Sequence, residues 1–180
     1  LVAAELASRL LQRNSLIRAP NPRPRVFFIS SKESLSVAKA IRHGLRYSDA
    51  DSLLWSDEDM FPPGSYPLEV LEHEVDLADF GVAIAHPDDI VRSRRSQSAA
   101  PRDNVIFELG FFMSRLGRKR TFLLVPQMGA DLKLPSDFKG MTPITYPPLT
   151  GKADEVPGRV LHSAIYELEQ KIEKLGCRER

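Results

Sequence analysis

The chain lacks most of the features that mark a secreted, disulfide-bonded or membrane protein. Cys177 is the only cysteine among its 180 residues, so neither an internal disulfide nor a thiolate metal cluster can form within it. No apolar run approaches the roughly 20 residues that a membrane-spanning helix needs. Glu5 and Arg9 interrupt the segment where a signal peptide would have its apolar centre. We therefore expect a protein of the reducing cytoplasm, without membrane attachment.

The sequence also has little excess charge and few of the common nucleotide or metal motifs. The formal net charge of +1 lacks the basic excess that is typical of nucleic-acid-binding proteins. The four histidines show no metal-ligand spacing, and the chain contains neither G-x-G-x-x-G nor a Walker A motif. These absences predict no nucleic-acid partner, no metal and no bound cofactor.

The composition is that of a folded protein with one core. Hydrophobic residues make up 42% and charged residues 27% of the chain, which is ordinary for a globular domain. Residues 2–14 have helical spacing, and a proline-rich segment follows them. Since the chain begins with Leu1, we expect residues 1–22 to be a helix and linker leading out of an absent upstream domain, and 23–180 to be the folded domain. Alternatively, the helix packs on the surface of that domain.

Strand-like and helix-like segments alternate along the domain. Such alternation indicates parallel strands joined by helices, and it predicts a doubly wound α/β fold with a central five-stranded parallel sheet and helices on both faces. The polar segment 87–102 has no apolar period, so we predict no strand or helix there and expect it to be mobile. The predicted strands lie within 25–30, 50–56, 80–86, 120–126 and 141–147, and the predicted helices within 34–47, 68–78, 103–116 and 156–175.

An acidic residue, Glu108, interrupts the apolar segment 101–117, "PRDNVIFELGFFMSRLG". If Asp103 caps a helix, Glu108 lies about 60° to the side of its buried stripe and has no cation one turn away. A half-buried carboxylate without such a partner has a raised pKa, which is common at functional sites. Pairing with an arginine from a neighbouring element is the alternative, and the sequence leaves both open.

Polar and aromatic residues follow the predicted strands, and ligands bind doubly wound sheets beyond the carboxyl ends of the strands. The loops after Ser30, Trp55 and Ala85 should therefore converge on one cleft. Ser30 and Ser31 are candidates for binding phosphate or ribose, or else they cap a helix. Trp55 and Phe61 are candidates for stacking on a ring of the ligand, or else they pack in the core.

Three further residues are weaker candidates for the same cleft. His86 is within reach of the cleft, or else it has a capping or loop role. Arg102 and Asn104 precede Glu108 and either orient it and bind phosphate or cap the helix.

Four segments together resemble the TIR-like effectors of prokaryotic anti-phage systems of the Pycsar and CBASS kind. The resemblance runs from about Arg25 to Tyr146, and "RDNVIFELG" at 102–110 is its most specific part. The other segments are "RVFFISSKESLSVAKAI" at 25–41, "LLWSDEDMFPPGSYPLEVLE" at 53–72 and "DFGVAIAHPDD" at 79–89.

This resemblance implies a flavodoxin-like TIR fold and an NAD+-cleaving activity in which Glu108 is the catalytic residue. It also implies that NAD+ is a substrate rather than a cofactor, and that an upstream cyclic-nucleotide sensor drives self-association. The loop at 56–64, which contains the candidate binding residue Asp57, resembles the TIR loop that covers substrate and touches the next subunit. Alternatively, Asp57 is a solvated turn residue. A lone acid suits this chemistry, because the nicotinamide ring is already cationic and needs no general acid to leave.

Two other functions remain open. The domain is alternatively a non-catalytic TIR assembly module in which Glu108 is structural. A nucleoside deoxyribosyltransferase-like enzyme, which breaks an N-ribosyl bond on the same sheet topology, is the third possibility.

Overall fold

The computed structural model describes residues 19–57, 60–61, 64–93, 96–127, 132–138, 140–149 and 158–179. The predicted helix at 2–14 lies outside these residues, so the division of the chain at residue 22 stays a prediction. Among the described helices, none combines the length and apolarity that crossing a membrane requires.

Strands and helices alternate as the sequence predicts, with one additional hairpin. Short 3₁₀ turns at 45–47, 118–120, 136–138 and 158–160 join some of the elements. The strands are β1 (Arg25–Ser30), β2 (Asp51–Leu54), β3 (Phe80–Ile84), β4 (Asp89–Ser93), β5 (Ser96–Ala100), β6 (Thr121–Pro126) and β7 (Ile144–Tyr146), and the helices are α1 (Leu35–Gly44), α2 (Pro67–Leu77), α3 (Asp103–Leu116) and α4 (His162–Leu175).

Five of the strands form one parallel sheet in the order β2-β1-β3-β6-β7, which confirms the predicted sheet. The chain moves from β1 outward to β2 and then returns to the other side of β1 to form β3. A doubly wound sheet has its ligand crevice near such a reversal, outside the carboxyl ends of the strands.

Helices cover both faces of this sheet. Successive side chains of a strand point to opposite faces, so Val26 and Phe28 pack in a core cluster with α1 and α4. Phe27 and Ile29 pack in a second cluster with α2 and α3. Burial on both faces accounts for the unbroken apolar runs of the central strands.

The segment 87–102, in which the sequence predicts no strand, contains the antiparallel hairpin β4-β5. Ile90 is paired with Ala99 and Arg92 with Gln97. Ile90 is 70% exposed, so this ribbon does not bury a full apolar face. Backbone hydrogen bonds between the two strands hold it together, and for that reason the sequence carried no apolar period there.

Two predicted helix starts need correction. The last helix begins at His162, because Val160 belongs to the 3₁₀ turn at 158–160; residues 150–157 lie outside the described part. Asp103 is the first residue of α3 rather than its cap, and its carboxylate accepts a hydrogen bond from the backbone N–H of Asn104 at 2.8 Å.

Helix α3 lies unusually close to the centre of the sheet. A Cβ atom at Gly81 of β3 would lie 2.8 Å from the ring of Phe112, so only glycine allows this approach. The Phe112 ring is stacked on Phe27 of β1, with 5.0 Å between ring centroids. This packing positions α3, and with it Glu108, near the carboxyl end of β1.

Candidate functional site

A cavity of about 450 Å³ opens at the carboxyl end of the sheet, on the face covered by α2 and α3. Its volume is within the range typical of small-molecule sites. The end of β1, the loop after β2 and the two helices line it. The lining residues are Ser30, Lys32, Trp55, Phe61, Pro67, Leu68, Leu71, Asn104, Phe107 and Glu108.

The loops around this cavity are held by local contacts. The indole Nε1–H of Trp55 donates a hydrogen bond to the hydroxyl oxygen of Ser30 at 3.0 Å, which ties the loop after β2 to the last residue of β1. Pro67 begins α2, where its restricted φ favours the helical conformation and its missing N–H costs nothing. One turn later, buried Leu71 anchors the helix in the core.

Glu108 lies on the flank of the buried stripe of α3, at the wall of the cavity. Within the described part of the chain its carboxylate has no hydrogen bond and no ion pair. Burial raises the pKa of Glu108 from 4.5 to about 7, because removal from water penalises the charged form. The predicted rise is confirmed, and the alternative of an arginine partner is not found among the described residues.

Comparison with known proteins identifies the family to which the domain belongs. The family model described as "CAP12/Pycsar effector protein, TIR domain" matches residues 25–147. The chain belongs to this family. The predicted resemblance is therefore confirmed over nearly the range that the sequence motifs covered.

Curated relatives of this TIR domain agree with the family. The Pycsar effector protein PaPycTIR of Pseudomonas aeruginosa is 43% identical over 175 residues, covering 97% of this chain and 56% of the relative. BcPycTIR of Burkholderia cepacia is 45% identical over 145 residues, with coverages of 81% and 47%. CD-NTase-associated protein 12 of a Lachnospiraceae bacterium is 34% identical over 151 residues, with coverages of 83% and 46%. The chain spans about half the length of these relatives.

Five predicted site residues of the TIR domain meet in the cavity: Ser30, Trp55, Phe61, Asn104 and Glu108. Asp57 does not line it. Its carboxylate accepts hydrogen bonds from Arg42 at 2.7 Å and from the backbone N–H of Leu54 at 2.9 Å. Asp57 therefore fastens the end of β2 to α1.

Ser31 and His86 also lie outside the cavity lining, because both bind Asp88. The hydroxyl of Ser31 donates to Oδ2 of Asp88 at 2.5 Å, and Nδ1 of His86 lies 2.8 Å from Oδ1 of the same carboxylate. Ser31 also accepts a hydrogen bond from the backbone N–H of Ser34 at 3.1 Å, within the turn that precedes α1. The loop after β3 thus contacts the loop after β1 without lining the cavity.

Arg102 neither orients Glu108 nor lines the cavity. Its guanidinium lies 2.7 Å from Glu33 and 3.0 Å from Asp89. The hydrogen bond from Arg102 holds the pKa of Glu33 below its ordinary value. Arg102 therefore joins the loop before α1 to the β4-β5 hairpin.

The sequence interpretation missed several lining residues, of which Lys32 and Phe107 bear on chemistry. Helical spacing contained a signal for Phe107, since residues 104, 107 and 108 share one face of α3. The ring of Phe107 is 57% exposed and stacks on Phe111 with 6.2 Å between centroids. No group of metal-binding side chains occurs in the described ranges, and the expected lack of a metal stays a prediction.

Replacing Glu108 by glutamine should stabilise the domain at alkaline pH. The folded state keeps the Glu108 proton up to about pH 7, whereas the unfolded chain releases it near the ordinary carboxylate pKa. Stability of the native protein is therefore lost as pH rises between these two values. The gain of Glu108→Gln should grow by about 2 kcal/mol between pH 5 and pH 8.

Urea unfolding of both proteins at the two pH values measures this gain. Glu173→Gln, on an exposed part of α4, is the matched control and should show no comparable pH-dependent gain. A Glu108→Gln variant that is less stable than the native protein at both pH values would contradict the prediction and favour a structural role for the carboxylate.

Proposed function

We propose that this TIR domain cleaves NAD+ to nicotinamide and ADP-ribose products, with Glu108 as the catalytic residue, as part of an anti-phage effector in the cytoplasm. The observation that carries the proposal is the half-buried Glu108 carboxylate, without a partner among the described residues, in the wall of an aromatic-lined cavity. The names of the relatives, which include Pycsar effector proteins, support the setting.

One carboxylate is sufficient for this reaction. When the bond between C1′ of the ribose and the nicotinamide nitrogen breaks, its electron pair neutralises the cationic ring, which leaves without protonation. Positive charge develops at C1′, where the ionised Glu108 stabilises it electrostatically. Water then attacks C1′ and loses a proton to give ADP-ribose.

The raised pKa of Glu108 links substrate binding to ionisation. With a pKa of about 7, a sizeable fraction of the carboxyl groups carries a proton at neutral pH. A cationic nicotinamide ring brought beside the carboxyl favours its ionised form. Substrate binding therefore releases this proton and prepares the charge that the transition state needs.

The remaining lining residues complement the rest of the dinucleotide. Trp55, Phe61 and Phe107 supply aromatic surface for stacking. Lys32 is exposed and has no ion pair among the described residues. A cavity with an acid and a separate cation matches a substrate that carries a cationic ring and an anionic diphosphate.

Replacing Lys32 by glutamine should therefore weaken NAD+ cleavage through binding. We expect kcat/KM for NAD+ to fall about tenfold, mainly through a higher KM, because one charge-assisted contact to phosphate is lost. Cleavage of nicotinamide riboside, which lacks phosphate, should change little. Lys39→Gln, on the exposed face of α1, is the control. An equal loss of kcat/KM with both substrates would show that Lys32 does not bind the phosphates.

We further propose that assembly completes the site, under the control of an upstream cyclic-nucleotide sensor. Phe61, Leu68 and Phe107 line the cavity and are 40%, 50% and 57% exposed. An exposed apolar group of this kind is typical of a surface that another protein covers. The relatives named CD-NTase-associated protein 12 support a connection to nucleotide signalling.

The test is to incubate the intact protein with NAD+ and a panel of cyclic nucleotides. Chromatography measures nicotinamide release, and sedimentation measures assembly. We expect one nucleotide to increase both. Assembly without nicotinamide release under any condition would identify a non-catalytic module. Turnover of nucleosides in place of NAD+ would identify a deoxyribosyltransferase-like enzyme.

A further inference from the structure

A second cavity, of about 580 Å³, lies at the opposite end of the sheet. Thr121 and Ile144 line it, and they are the first residues of β6 and β7. The Glu108 cavity instead lies beside Ser30, the last residue of β1. The two cavities share no lining residue, so the second one is separate from the proposed catalytic site.

Positive charge is concentrated at this second cavity. Arg118, Lys119, Lys171 and Lys174 line it, with Asp137 as the one acid among the lining residues. Lys171 pairs with Glu167 at 3.4 Å on the surface, and the other three cations have no ion pair among the described residues. The whole chain has a formal net charge of only +1, so the excess is local.

Stabilisation of the helix ends does not account for these cations. Basic residues are common near helix C-termini because they offset unpaired carbonyl groups. Here Arg120 already performs that role for α4, since its guanidinium donates hydrogen bonds to the backbone carbonyls of Leu175, Gly176 and Cys177. Arg118, Lys119 and Lys174, which line the cavity without an ion pair among the described residues, remain available to an anionic ligand.

The same cavity has an apolar side. Phe122, Phe138, Met141 and Leu175 line it together with the cations. Such a surface is suited to a flat ring, which it can contact through stacking and sulfur contacts. Charge and apolar surface in one space indicate a ligand that carries both an anion and a ring.

We propose that this second cavity is a binding site for a nucleotide. The phosphates lie against Arg118, Lys119 and Lys174, and the base lies against Phe138 and Met141. The site does not depend on NAD+ cleavage, and it provides a second place at which a nucleotide acts on this domain.

Isothermal titration calorimetry of the intact protein tests the site, with probes that carry no nicotinamide and so are not substrates of the proposed reaction. The probes are ADP, AMP, and the two halves of ADP, adenosine and pyrophosphate. If base and phosphate both contribute, ADP should bind at least about tenfold more tightly than either half. Binding of pyrophosphate as tightly as ADP would show a simple anion site and overturn the proposal.

A pair of double variants assigns the binding to this cavity. Lys119→Gln with Lys174→Gln should lower the affinity for ADP at least about tenfold. Lys39→Gln with Lys133→Gln removes the same charge from exposed positions outside the cavity and should leave the affinity unchanged. The proposal fails if both double variants bind ADP equally. It also fails if the Lys119→Gln, Lys174→Gln variant loses self-association but keeps its affinity for ADP, which would identify an interface between copies. Neither failure bears on nicotinamide release.

Discussion

Glu108→Gln should reduce NAD+ cleavage by the assembled protein by about 10²–10³-fold or more, the loss expected when one preorganised electrostatic group is removed from a transition state. The substitution keeps the size of the side chain and removes the charge. The loss should appear in kcat, with KM little changed, because the carboxylate acts on charge that develops only as the bond breaks.

The pH profile separates this role from a structural one. In the native protein kcat/KM should rise with pH through about 7, the pKa to which burial raises Glu108, and level off above it. Residual activity of Glu108→Gln should lack this rise. Glu173→Gln serves as the control and should retain full activity. Undiminished turnover in both Glu108→Ala and Glu108→Gln would end the catalytic assignment.

Phe112→Ala should destabilise the domain by about 3–5 kcal/mol, the usual cost of removing a buried phenylalanine. The Phe112 ring is fully buried, stacks on Phe27 and lies against Gly81. Its removal leaves a void between α3 and the sheet, into which neighbouring side chains can relax only in part. Urea unfolding measures the loss directly.

Phe107→Ala provides the matched control on the same helix. Because its ring is 57% exposed, the substitution should change stability by less than about 1 kcal/mol. Phe112→Leu should recover much of the stability that Phe112→Ala loses, since it restores most of the buried volume. A Phe112→Ala protein as stable as the native one would show that this stack does not hold α3 on the sheet.

The two expected effects of Glu108→Gln have opposite signs. The substitution removes the charge that the proposed reaction needs. It also removes the free-energy cost of ionising a carboxyl group that is partly buried in the wall of the cavity. Sites built for catalysis commonly carry such a local cost in stability. A merely structural carboxylate should instead lose stability when it is replaced.

The elements with strong apolar patterns could be predicted from the sequence. The hairpin, whose strands are held together by backbone hydrogen bonds, could not. β1 and β3 are continuous apolar runs because both faces of the sheet are covered. The β4-β5 hairpin has no such pattern, since its strands are joined by backbone hydrogen bonds whose donors and acceptors every residue carries. The last helix was predicted too early for a related reason, because the residues of a 3₁₀ turn keep a nearly helical spacing.

The candidate site was predicted in part, and the errors have a common cause. Residues that follow a strand were correctly expected near its carboxyl end, and Ser30 and Trp55 lie there. Arg102 was expected in the cleft because it precedes Glu108, and Asp57 because its loop resembles the TIR loop that covers substrate. Each is instead held by an ion pair with a residue from another element, and sequence spacing carries no information about such partners.

The amino-acid sequence by itself determined the order along the chain of the helices and of the five strands of the main sheet, the family, and the position of Glu108 beside a buried stripe without a local cation. These properties depend on residues within a few turns of each other. Only the tertiary structure decided that no arginine among the described residues reaches Glu108, that Lys32 and Phe107 share its cavity, and that four cations meet at the far end of the sheet. Desolvation and charge depend on everything that packs around a group, and chain folding brings those neighbours from distant positions.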